Sequence, residues 1–277
     1  MTFSIVAQSG DAFGVAVASR FPAVGSVVPG ARIRLGAVAT QAMARVSYRE
    51  AALDTLAGGG DAAAAVEACT SPDAEREHRQ LGVVGASSQA SFTGSECMPW
   101  AGGRTGRDAD GGYAIQGNIL AGPQVVEEMK RSWDASAGQP LARRLLTALA
   151  AGDLAGGDRR GRQSAALLVV REGAGYGGLD DVAVDLRVDD HPQPIEELAR
   201  LLDLNDLYLT ASTEQEQVEV TEGLRAELEA FARAHGHPDF NAWVGAENYE
   251  MRVADDGSWV DQRVLAIVRA ARPDDTT

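Results

Sequence analysis

Residues 2–20 read TFSIVAQSGDAFGVAVASR. Two short apolar runs, FSIVA and FGVAVAS, flank QSGD, which carries the glycine and aspartate of a tight turn. That pattern predicts a β-hairpin over 2–20. The hairpin begins at Thr2, directly behind Met1. Two readings are open there. Threonine suits a strand edge. Alternatively, Met1 is excised before so small a residue, leaving Thr2 with a hydroxyl and a free α-amine. Such a residue is a nucleophile with its own base attached, and an α-amine titrates at about 7.7–8.0, where a base is most useful.

Beyond the hairpin, ARIRLGAVATQ (31–41) reads as a third strand. The pattern then turns helical in SYREAALDTLAGGG (47–60) and DAAAAVEACTSPD (61–73), each closed by glycines or Ser-Pro-Asp. HRQLGVVGASSQASFTG (78–94) returns to strands around a central turn, and GGYAIQGNIL (111–120) adds another. Pro123 opens a helix in PQVVEEMKRSW, a second follows in PLARRLLTALAAG (140–152), and QSAALLVVRE and DVAVDLRVD are strands before a closing helix at 194–209. Strands in hairpin-like runs and helices in pairs argue against a doubly wound βαβ fold. Small apolar residues on both strand faces fit sheets covered on both sides. The expected architecture is α+β, a four-layer αββα sandwich over residues 1–209. Residues 210–277 follow as an acidic linker and a small, mainly helical unit holding two of the four tryptophans. So small a unit is expected to dock on the main domain or on a partner.

The chain has 277 residues and a formal charge of -15, which argues against nucleic acid or an anionic membrane as the main partner. No stretch approaches the roughly 18 apolar residues of a membrane span, and no secretory signal is evident, so a cytoplasmic location is expected. Lys130 is the single lysine, which leaves little room for lysine-based chemistry. Cys69 lies in an alanine-rich helical stretch and reads as packing; Cys97 lies in a loop, as buried filler or a reactive thiol. The histidines show no metal-site spacing. In VDLRVDDH (184–191), Asp185, Arg187 and Asp189 share one strand face, which favours ion pairs over a metal site. No metal or cofactor is expected.

Several polar residues stand where strands end. Arg20 closes the return strand of the hairpin, which brings it back beside Thr2, either to tune the amine and hold a substrate carboxylate or to make a surface ion pair. Gln116, Gly117 and Asn118 leave a strand together, as an oxyanion hole or a turn held by asparagine. GGDRRGRQSAAL (156–167) places Asp158, Arg160, Gln163 and Ser164 before a buried strand, to bind a ligand or to contact a second copy. His78 and Arg79 precede another strand and serve either the site or a loop.

Taken in order, TFSIVA, VAVASRFPAVGSVVPGA, GAVATQ, EHRQLGVV, CMPWAGG, QGNILAGP, GGDRRGRQSAALLVV, GYGGLDD and VDLRVDDHPQP resemble a bacterial family catalogued as domain of unknown function 1028, whose members are regarded as N-terminal-nucleophile (Ntn) hydrolase-like. The resemblance covers roughly residues 2–204. It implies the αββα fold and an acyl-enzyme formed on Thr2, with Asn118 at the oxyanion. Where proteasome-like Ntn enzymes have Asp-Ser-Arg, this chain has Ala18-Ser19-Arg20, a departure from the peptidase type. The expectation is an amidohydrolase for a small, acidic or cyclic amide, working without a cofactor as a homo-oligomer. The alternative is a non-catalytic binding or assembly protein on the same scaffold. NAWVGAENYEMRV (241–253) and GSWVDQRVLAIV (257–268) resemble a peptidoglycan-binding module found behind some members, which implies contact with peptidoglycan fragments.

Overall fold

The structure, a computed structural model, describes residues 2–271. Met1, whose removal the N-terminal reading requires, lies outside the described residues, as do 272–277. The fold is a mixed α+β arrangement of antiparallel sheets and helices, in two compact units that part in sequence between Leu202 and Asp203. Among the described residues no helix is long and apolar enough to cross a membrane.

In the first unit, strands β1 (Thr2–Ser9) and β2 (Ala12–Ser19) form the hairpin, with Gly10 at φ 58 in its turn. A single helical turn, α1 (Val24–Val27), leads into β3 (Pro29–Arg32) and β4 (Gly36–Ala42). The third strand expected over 31–41 is therefore two strands. Arg34 turns the chain at φ 61 without the glycine, proline, asparagine or aspartate that would have announced the turn. Helices α2 (Tyr48–Ala57) and α3 (Ala62–Thr70) follow, the latter capped by the Asp61 side chain on the Ala64 N–H. Next come β5 (Arg79–Gly85), β6 (Gln89–Thr93), β7 (Gly102–Arg107) and β8 (Gly112–Asn118). Strand β7, GGRTGR, has no apolar alternation to reveal it and is held at the sheet edge by pairing with β8. Helices α4 (Gln124–Ala135) and α5 (Leu141–Leu154), strands β9 (Ser164–Val170) and β10 (Val182–Val188), and helix α6 (Pro194–Tyr208) complete the series.

One sheet has the order β10-β9-β2-β1-β8-β7 and the other β3-β4-β5-β6. Alternation along β1 decides what each face meets. Phe3, Ile5 and Ala7 join Met129, Trp133, Leu145 and Leu149 of α4 and α5 in one core. Val6 turns the other way, with Val15 and Val17 of β2, to meet Ala37, Ala39 and Val84 of the second sheet. The far side of that sheet packs Val38, Leu81 and Val83 against Leu53, Ala65 and Cys69 of α2 and α3.

The second unit contains a two-stranded sheet, β11 (Gln217–Glu219) with β12 (Trp259–Asp261), and helices α7 (Glu222–Ala234), α8 (Phe240–Glu247) and α9 (Gln262–Ala270). It has a core of its own, where Trp243 meets Phe231 edge to face, Phe240 stacked and Tyr249 tilted. Leu207 and Tyr208 pack onto that core, so the last turns of α6 belong to the second unit. The units thus part inside α6, before the boundary expected at 209.

Candidate functional site

The interface between the two sheets is apolar along most of its length and polar at one end. By strand alternation, Thr2 and Ser4 of β1, Ser19 of β2, Gln41 of β4, Gln80 of β5 and Gln116 and Asn118 of β8 all face inward there, and all are buried. Buried polar groups need partners, and most of these find one another, Gln116 Oε1 being left without a hydrogen bond. Ser4 Oγ donates to Gln41 Oε1 at 2.7 Å, and Gln116 Nε2 donates to Ser4 Oγ at 2.7 Å. Gln80 Oε1 accepts from Gln41 Nε2 at 2.8 Å and from Asn118 Nδ2 at 3.1 Å. Gln80 Nε2 donates to Gly117 O at 2.8 Å and Thr93 Oγ1 at 2.9 Å. The layer is tight at Gly82, where a Cβ would lie 2.2 Å from Gln116 Oε1 and would have to displace that amide.

Thr2 is the first residue of β1 and pairs across the ladder with Asn118. Its carbonyl accepts from Gln41 Nε2 at 3.3 Å and Asn118 Nδ2 at 3.4 Å, which anchors the main chain to the amide layer. Its Oγ1 lies 3.1 Å from Ser19 Oγ. Thr2 and Gln41 also border a cavity of about 230 Å³, whose other walls are two short segments, 21–28 and 42–44.

Both wall segments are held by residues singled out in the sequence. Ser164 Oγ donates to Phe21 O at 2.5 Å and accepts from Val24 N at 3.1 Å. On the other side, His78 O accepts from Met43 N at 3.1 Å, and the Arg79 guanidinium bonds Met43 O. Arg79 Nε is itself tied to Asp73 at 2.9 Å, and that hydrogen bond, with one from Tyr48, holds the Asp73 carboxyl well below the usual carboxylate range. Ala23 at φ 51, Ala42 at φ 68 and Ile119 at φ 51 are left-handed residues without glycine's freedom, two in the walls and one directly after Asn118. Such strain, on the order of 1–3 kcal/mol each, persists only where the surroundings over-determine it.

The other candidates gather elsewhere. Arg20 follows Ser19, but its guanidinium donates to Arg162 O at 3.2 Å, and it borders a separate cleft of about 490 Å³ with Asp153, Asp158 and Arg162. Asp158 accepts the backbone N–H groups of Arg20 at 2.7 Å and Arg160 at 2.9 Å, and pairs with the Arg160 guanidinium at 3.2 Å. Gln163 Nε2 donates to Asp190 at 3.2 Å. Arg187 pairs with Asp185 at 3.1 Å, and among the described residues no group of three or more His, Cys, Asp or Glu is placed to hold a metal ion. Burial pushes the Cys69 thiol up to about 11 and raises Cys97 as well, which disfavours the thiolate in both. Ser4, Ser19, Gln41 and Gln80 were not singled out. Their signal was available: each is a polar residue at an inward position of an otherwise apolar strand.

A family of unknown function, DUF1028, matches residues 2–198. This chain belongs to that family. Among solved structures, the DUF1028 protein SPO2555 from Silicibacter pomeroyi is 32% identical, with a TM-score of 0.65 over 74% of this chain and 89% of its own. No curated protein matches. The match spans both sheets, so the amide layer, Thr2 and the cavity all lie within the DUF1028 region.

Proposed function

We propose that this DUF1028 chain is an N-terminal-threonine amidohydrolase on an Ntn-type αββα sandwich. The observation that carries the reading is the position of Thr2, at the head of an inner strand, with its hydroxyl beside Ser19 and its flank in a cavity wall. The layering supports it, with α4 and α5 on one sheet, α2 and α3 on the other and the sheets face to face.

Once Met1 is excised, Thr2 Oγ1 bonds to the carbonyl carbon of an amide, and its proton passes to the α-amine of the same residue. The C–N bond breaks as that proton moves to the leaving nitrogen. An ester on Thr2 remains; water adds to it, releasing the carboxylic acid and restoring the hydroxyl. Ser19 orients Oγ1. Both Asn118 and Gln41 hold the Thr2 carbonyl, so they position the nucleophile, and the oxyanion role expected for Asn118 gives way to this one. The scheme draws on no cofactor.

One observation favours a second reading, a binding protein without turnover: the Asn118 amide is committed to Thr2 O and Gln80 Oε1. Intact mass and turnover separate the two. The hydrolase is expected to lack one methionine, to cleave members of a panel of small amides, and to lose at least about a thousandfold of that rate in Thr2→Ala. A retained Met1, or equal turnover by Thr2→Ala, overturns the catalytic reading.

A further inference from the structure

The cavity beside Thr2 has a chemical character that narrows its occupant. Apart from Thr2 and Gln41, it is bordered by Phe21, Val24, Val27, Val28, Ala42 and Ala44, with no ionisable side chain among them. Gln41 is not free to greet a polar group. Its Nε2 already serves Thr2 O and Gln80 Oε1, and its Oε1 accepts from Ser4. A carboxylate entering here would lose its hydration and meet no cationic side chain among the described lining residues, and pairing with the Thr2 α-amine would hold that amine protonated and remove the base. A hydrocarbon group would gain from burial. Phe21 lies half exposed on this wall, apolar surface that an apolar occupant would cover.

We infer that this cavity receives the uncharged hydrocarbon side of an acyl group, so that, resting on the hydrolase reading, the substrates are amides of aliphatic rather than acidic acids. An apolar cavity of about 150 Å³ takes up benzene. One of about 230 Å³ accommodates a linear or branched chain of about six carbons. The walls are set for selection by size, because both are fixed from behind. Ser164 holds Phe21 and Val24, Asp189 O accepts from Ala23 N at 2.9 Å, and Arg49 donates to Ser26 O at 3.0 Å. Met43, next to the opposite wall residues Ala42 and Ala44, is held by His78 and Arg79. Arg20, the residue that suggested an acidic substrate, borders the other cleft.

The test measures binding and turnover separately on the full chain, by ligand-observed NMR titration and by amide hydrolysis. The probes are hexanamide, isovaleramide, acetamide and succinamic acid. Expected is tightest binding of hexanamide or isovaleramide, with acetamide weaker at least tenfold for its missing methylenes and succinamic acid weakest. Val27→Phe, which fills the cavity from one wall, is expected to weaken hexanamide at least tenfold and to leave acetamide within about threefold. Ala44→Leu repeats the test from the opposite wall, and circular dichroism confirms that both variants are folded. Tighter binding of succinamic acid, binding unaffected by both variants, or no binding of any probe overturns the inference. The expected binding order without hydrolysis supports the pocket and removes the hydrolase. Hydrolysis with acidic amides preferred does the reverse.

Discussion

Thr2 Oγ1 and Ser19 Oγ stand 3.1 Å apart, buried together where the two strands of the first hairpin meet again. The contact follows from register. Phe3 pairs with Ala18, so the next position outward sets Thr2 against Ser19 on the same face. A hydroxyl partner here fixes the rotamer of Thr2 without adding charge.

Ser19→Ala removes the hydroxyl that stands beside Thr2 Oγ1. On the hydrolase reading, kcat is expected to fall about tenfold to a hundredfold with KM nearly unchanged, because orientation is lost and binding is not. Stability should drop by only about 1 kcal/mol. Steady-state kinetics beside a urea melt checks both, and a change confined to KM would contradict the positioning role.

Gln80→Leu is expected to be far more disruptive to folding. It leaves Gln41 Nε2 and Asn118 Nδ2 without their shared acceptor, and Gly117 O and Thr93 Oγ1 without their donor. Both amides keep Thr2 O as an acceptor, and the hydrogen bonds lost from this buried layer cost about 3 kcal/mol in total, readable as a lower urea midpoint with an unchanged slope.

Asp73 carries a pH dependence of definite sign. Its carboxyl is depressed in the folded protein, first by the hydrogen bond from Arg79 and then by that from Tyr48. The unfolded carboxyl titrates near 3.9, approximately. The stabilisation is therefore complete above that value and fades as pH falls toward the folded pKa. Asp73→Asn should be less stable than wild type at neutral pH, and the gap should narrow below about pH 4. Melts from pH 7 down to pH 3 check this; a gap that widens on acidification would refute it.

Arg252→Met tests the second unit. The Arg252 guanidinium is buried, donating to Asp261 Oδ2 at 2.8 Å and Leu207 O at 3.0 Å. Removing it strands the Asp261 carboxylate inside, at a cost of about 3–5 kcal/mol. Amide exchange should quicken across β11, β12 and α9. Unchanged protection there would show that the pair contributes little.

Much of the fold was legible because it rests on local pattern. Short apolar runs bounded by turn residues marked β1, β2, β5 and β9, and the periodicity and punctuation of 47–73 and 123–152 marked the paired helices. The failures have local causes too. The β3–β4 turn rests on Arg34 at positive φ, and β7 is a glycine-rich edge strand whose partner, rather than its own composition, makes it a strand.

The site divides in the same way. By itself the sequence determined that Thr2 heads a strand behind Met1, that the hairpin returns its far end to that point, and that the chain is acidic with a single lysine. Only the tertiary structure decided which polar residues converge. Gln41 and Gln80 lie 39 positions apart and meet at 2.8 Å only because β4 and β5 are neighbours under β1 and β8. Arg20 leads to a different cleft although it is one residue from Ser19. Strand patterns are set by each residue's own side chain and its near neighbours, whereas a pocket is set by the register between strands far apart in sequence, which a single sequence does not encode locally.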